Sequence, residues 1–267
     1  MLILILVWTN IAPALVQFMN SVKAERLEKL RIEQISSRRQ LFANFVTGLE
    51  HEIAANVPGF FFLAPVTDLS QVPSVRDIIE GTPARLTITQ DAFKPVGEQL
   101  QQMSLGWAIF QAQELLKLMP KSATDSSNNQ TFRLRLATTF FKCELIQDPI
   151  AFPEILTHPG TFSYIPWRRI PKPEEKRLFE DFRQEFWNHN KNRVSFHEPA
   201  SRAARCIVQI CTLDPATTTA RDMDALNPLM GCASCRDPID PLNDTLIMTW
   251  RRAVCFYCYA HLVLFIL

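Results

Sequence analysis

Glycine is scarce in this chain, seven in 267 residues, and none stands in a phosphate-binding arrangement. Neither GxGxxG nor GxxxxGK(S/T) occurs, which excludes the glycine-rich loops that cradle nucleotide phosphates. HExxH, GxSxG and a paired-carboxylate constellation are missing too, so a metal-dependent hydrolase has no catalytic string behind it and stays an alternative. Charge of one sign is also lacking. The formal net charge is +1, which argues against a general nucleic-acid surface and leaves only a local patch. Arg168, Arg169, Lys172, Lys176 and Arg177 are the candidates for such a patch, diluted by Glu174, Glu175, Glu180 and Asp181. An odd count of seven cysteines does not make a disulfide framework in a chain of this size. It favours a reducing compartment, cytoplasmic or nuclear.

Hydrophobic residues make up 47% and charged residues 21%, a globular composition for one large domain or two small ones. Helical spacing of apolar residues dominates, and long alternating strand segments are few. The expected fold is mostly α, an irregular multi-helix scaffold with a small cysteine-rich segment at its C-terminal end. Its expected parts are an apolar segment 1–20, a helical region 22–120, a linker 121–131, a mixed, mainly helical region 132–230 and the cysteine-rich segment 231–267.

The first part begins MLILILVW and continues IAPALVQF. It lacks the positive start of a secretory signal, and its apolar run is short for a span. Burial against the protein, or an incorrect or truncated start, is expected. A membrane anchor or secretory signal through residues 1–20 is the alternative. From Val22 to Ile53 the apolar positions predict one long helix or two, with Ser36-Ser37 as the break. Lys23, Arg26, Lys29, Arg31, Arg38 and Arg39 are read as a solvated basic face. Leu100, Met103, Trp107, Phe110, Leu115 and Leu116 form the apolar stripe of a helix from about Gln90 to Met119, capped by Thr89. Glu174 to Trp187 is an amphipathic helix, Ser201 starts another, and Thr219 with Asp222 forms a capping-box-like pair. His189 and His197 are assigned no role.

Chemistry concentrates between Cys232 and Leu262. Two Cys-x-x-Cys knuckles, Cys232/Cys235 and Cys255/Cys258, are separated by 19 residues. Each knuckle can hold one edge of a zinc tetrahedron, and two close it. A helix beginning near Trp250 puts Cys255 and Cys258 on one face, and also Cys258 and His261, so His261 is an alternative ligand. Structural Zn2+ would supply folding energy to a segment too short to bury much of its own surface. Ordinary core thiols are one competing account, because free cysteine is a commonly buried residue, and a disulfide or redox role is the other. Cys143 and His158 form a weaker second pair, too few for a closed site unless Glu144, Asp148 or a distant group completes it. Trp167 and Arg168 are the candidates for a partner-binding surface.

Several strings together resemble a large group of basidiomycete fungal proteins named as F-box domain proteins. They are RLRLATTFFKC (133–143), AFPEILTH (151–158), EPASRAARCIVQICTLDPATTTARDMDALNP (198–228), CASC (232–235) and MTWRRAV (248–254). The resemblance covers most of the chain from Val22 onward. It implies a substrate adaptor of a cullin–RING ubiquitin ligase, held through a Skp1-type partner, where an F-box is present. No F-box pattern of leucine and proline is found here. In the similar proteins two cysteines and a histidine follow the FxC string. Cys143 and His158 match, whereas Ile146 occupies the second cysteine's place. Cys232 and Cys235 match the later pair, and Phe256 stands where a histidine is usual. The sequence therefore reads as an interaction or scaffold protein, related to such adaptors and a partial or diverged copy. A metal-dependent hydrolase and a nucleic-acid-binding zinc module are the alternatives.

Overall fold

In the computed structural model the chain is a mostly helical, irregular multi-helix scaffold. The structure describes residues 2–56, 62–121, 130–146, 148–166, 171–232, 247–260 and 264–266; side chains at 2–7, 9, 10, 56, 174, 232, 257–260 and 264–266 are outside the description. In chain order the helices are α1 (Leu2–Asn56), α2 (Val66–Leu69), α3 (Pro73–Arg76), α4 (Gly97–Leu118), α5 (Phe132–Arg135), α6 (Glu154–Thr157), α7 (Pro173–Phe182), α8 (Glu198–Ile210), α9 (Ala220–Leu226) and α10 (Trp250–Ala260). The strands are short: β1 (Phe141–Cys143), β2 (Val194–Phe196), β3 (Leu229–Cys232), β4 (Ile247–Thr249) and β5 (Leu264–Ile266). Residues divide into two compact units, Met1–Gln101 with Trp167–Arg183, and Gln102–Pro166 with Gln184–Leu267.

The first unit is built on the later half of α1. Arg38, Phe42, Val46 and Ile53 are buried on one face at helical spacing. Phe42 packs against Phe93 at 5.1 Å between ring centroids and against Phe182 of α7 at 6.5 Å. Ser36-Ser37 does not break the helix. The Ser36 hydroxyl instead donates to Asp181 of α7 at 2.7 Å, beside the Arg39–Asp181 ion pair at 2.8 Å. The solvated basic face expected here is corrected at two positions. Arg39 is mostly buried in that pair, and Arg38 is only 2% exposed. The Arg38 guanidinium donates to four carbonyl oxygens, those of Ile79, Thr82, Pro83 and Leu86, at 2.6–3.1 Å.

Thr89 precedes a 3-10 turn, Gln90–Val96, without a side-chain cap; Pro95 lies inside that turn, and α4 starts only at Gly97. Proline at the first position of α7 fits its fixed φ, and Leu178, Phe179 and Phe182 are the buried face. The expected burial of the apolar start is also corrected where side chains are described, at residue 8 and from residue 11 to residue 20. From residue 11 to residue 31 every side chain except that of Ala12 is exposed. Among the described residues, no helix is long and apolar enough to cross a membrane.

In the second unit α8 packs on α10. Ala200, Ala203, Ala204, Ile207 and Val208 of α8 are buried with Trp250, Ala253 and Val254 of α10. Alanines at four of these positions let the two helices approach closely. Phe140 meets Trp250 edge-on at 6.2 Å. The indole N–H of Trp250 donates to Asp224 at 2.9 Å, and Arg251 grips the same carboxylate with two bonds of 2.9 and 2.7 Å. The Thr219–Asp222 capping box forms as expected. His197 does have a role: its Nδ1 accepts the N–H of Ala200 and caps α8, one turn before the expected start at Ser201. On α4, Leu115 is buried and Trp107 meets Trp187 edge-on, whereas Met103 and Phe110 of the expected stripe are exposed.

β1 pairs antiparallel with β2, setting Cys143 opposite Val194. The other sheet has the order β4–β3–β5, and β3 is antiparallel to both neighbours. β4 and β5 therefore run parallel, joined by α10 as a crossover that passes the intervening strand.

Candidate metal site

The two cysteine groups differ in how fully they are described. Cys235 and His261 lie outside the described residues, as do the side chains of Cys232 and Cys258, so their ligand roles rest on sequence and backbone placement. Trp167 and Arg168, the candidate partner surface, lie outside as well. Cys232 ends β3 and pairs with Leu264 across β5. α10 leaves the sheet beside Leu229, which pairs with Thr249, and the chain re-enters at Leu264. The crossover thus returns the C-terminal end of α10, the end that carries Cys258, to the Cys232 end of β3. Cys255 lies one turn earlier and is half-buried. Burial, followed by the negative charge of Asp148, pushes its thiol pKa up. Cys255 is thus a neutral thiol at pH 7. A bound dication would have to displace its proton.

The second pair is fully described. Cys143 is buried at the end of β1, and its Sγ accepts the N–H of Ile146 at 3.3 Å. An N–H three residues on pointing at sulfur is the turn a Cys-x-x-Cys knuckle makes, here with isoleucine in the second place. His158 caps a 3-10 turn, Pro159–Thr161, by accepting the Gly160 N–H on Nδ1 at 3.1 Å. Burial lowers the His158 pKa, which keeps the ring neutral and able to accept. A Cβ placed on Gly160 would lie 2.5 Å from the Cys143 Sγ and 3.1 Å from the His158 Nδ1. The structure therefore brings Cys143 and His158 face to face, with Gly160 allowing the approach.

Gly160→Ala is expected to destabilise the protein by about 1–3 kcal/mol, the usual range for overpacking. Adding Cys143→Ala should restore most of the loss in a thermal unfolding measurement. A Gly160→Ala protein that melts with the wild type would show that the turn yields freely.

Among the described residues, no group of three or more His, Cys, Asp or Glu side chains is arranged to hold a metal ion. Glu144 and Asp148 therefore do not complete a site around Cys143 and His158. Asp148 instead acts on Cys255, and Glu154 on Arg251. The segment between Cys143 and His158 thus neighbours the α10 face bearing Arg251 and Cys255. Sequence reasoning missed this proximity because no local spacing links residues about a hundred positions apart.

No protein-family model matches the chain, and neither a curated protein nor a solved structure matches it.

Proposed function

We propose that the chain is a protein-interaction scaffold related to the substrate adaptors of ubiquitin ligases, with zinc held by Cys232, Cys235, Cys255 and Cys258. The observation that carries the interaction reading is the outer face of α4. Leu105 is 59% exposed and Ile109 63%, with Met103 and Phe110 exposed on the other side of Gly106. Nothing lies within 4 Å of the space a Cβ on Gly106 would enter. Glycine inside a helix costs about 1 kcal/mol relative to alanine, and internal packing here does not call for it. An apolar surface around a bare stretch of helix backbone suits close approach by a partner. The zinc reading is supported by the crossover, which returns α10 to the Cys232 end of β3, and by the Cys-x-x-Cys spacing.

Elemental analysis of the purified chain tests the metal. About one zinc per chain is expected, lost in Cys232→Ala and in Cys258→Ala together with protease resistance of residues 231–267. A zinc-free wild type overturns the metal part. A Skp1-type partner is implied only where an F-box is present, so the interaction part is tested on the α4 face itself: a protein captured by the wild type should be lost with Leu105→Asp/Ile109→Asp. No capture by the wild type, or capture unchanged by the paired substitution, overturns that part.

A further inference from the structure

The first half of α1 carries a surface that neither the fold nor the proposed scaffold role uses. Large apolar side chains stand in water there: Trp8 is 61% exposed and Phe18 64%, and Ile11, Leu15, Val16, Met19 and Val22 are exposed with them. At 100° per residue these seven positions and Ala12 occupy one contiguous arc of roughly 160°. The opposite arc holds Thr9, Asn10, Pro13, Gln17, Asn20 and Ser21, all uncharged. Pro13 leaves the carbonyl of Thr9 without its helical N–H partner. Both residues sit on the polar arc, where water can satisfy that oxygen.

Beyond Val22 the character of the apolar arc changes. Lys23, Arg26 and Lys29 continue it, exposed and, among the described residues, outside any ion pair; Glu28 is taken by Arg31. On an ideal helix the buried face of Phe42, Val46 and Ile53 lies nearly opposite this arc, so folding of the first unit does not cover it.

We propose that residues 8–22 of α1 bind the interfacial region of a lipid bilayer, lying in its plane, with Lys23, Arg26 and Lys29 on anionic headgroups. The apolar stretch is ~22 Å long. A wide apolar arc, an uncharged wet arc and a flanking cationic turn suit a helix that rests on the bilayer. A second copy of the chain fits less well. A parallel copy would set Lys23, Arg26 and Lys29 against their own equivalents, and an antiparallel one would set them against apolar side chains.

The test is flotation of the full-length chain with vesicles of phosphatidylcholine alone and of phosphatidylcholine with phosphatidylserine (about 30%). The wild type should float with the mixed vesicles. Leu15→Asp/Phe18→Asp should abolish flotation, with helix content unchanged by circular dichroism because both sites are exposed. Lys23→Gln/Arg26→Gln/Lys29→Gln should weaken binding to the mixed vesicles at least tenfold and remove its salt dependence. Three results overturn the proposal: no flotation of the wild type, flotation indifferent to Leu15→Asp/Phe18→Asp, or a lipid-free dimer that those two substitutions dissociate.

Discussion

Arg38→Met is expected to cost on the order of 3 kcal/mol in a denaturant titration of the full chain. The guanidinium holds four backbone carbonyls of residues 79–86 from a site that is 2% exposed. Methionine fills much of the same volume and offers no donor. Carbonyls that lose a charged donor away from water each forfeit part of their hydrogen-bond free energy, and water can recover only those nearer the surface. Arg38→Lys should recover less than half of the loss, because an ammonium cannot place donors on four oxygens in a planar fork. The turn from Asp77 to Gly81 and the segment after it should lose hydrogen-exchange protection first. A Met variant within 0.5 kcal/mol of the wild type would show that these carbonyls do without the guanidinium.

The second large effect is expected at the Glu185–Arg193 pair. Its nitrogen and oxygen are 2.6 Å apart, with both side chains more than nine-tenths buried, and Arg193 also donates to the carbonyl of Ser163 at 2.8 Å. Glu185→Gln leaves a buried cation without its counter-charge and should cost about 3–5 kcal/mol. Glu185→Gln combined with Arg193→Met should be less damaging than Glu185→Gln alone, because no unpaired charge remains. Equal or greater loss in the double variant would contradict this account. The consequence reaches the candidate metal pair, because the Arg193 carbonyl accepts the N–H of Glu144, directly after Cys143, and Val194 pairs with Cys143. Loosening Arg193 should therefore raise the reactivity of the Cys143 thiol toward a thiol-specific reagent.

These two sites show where the sequence was legible and where it was not. Local signals carried well. The spacing of Leu178, Phe179 and Phe182, the Thr219–Asp222 box and the mainly helical class all follow from contacts within a few residues, and the structure has them. Arg38 could not be read this way. Its partners are backbone carbonyls some forty residues on, and every residue type supplies a carbonyl. The facing of Cys143 and His158 depends on Gly160, whose importance lies in the side chain it lacks. The DMDAL and TWRR stretches carry no chemistry on their own. They meet in space, where Asp224 receives Trp250 and Arg251. The exposed start of α1 defeated the expectation of burial because hydrophobicity alone does not say which solvent, protein or lipid, is to cover it.

The order in which the chain leaves the ribosome gives the unit boundaries a further meaning. The first unit needs residues from both Met1–Gln101 and Trp167–Arg183, and Arg39 must wait for Asp181, 142 positions later. By then Gln102–Pro166 has already emerged, while its own partners, α8 and α10, are still unmade. Neither unit can finish before the other has begun. The nascent chain therefore holds two half-built cores at once, a period in which apolar surface is open to chaperones and to mispairing.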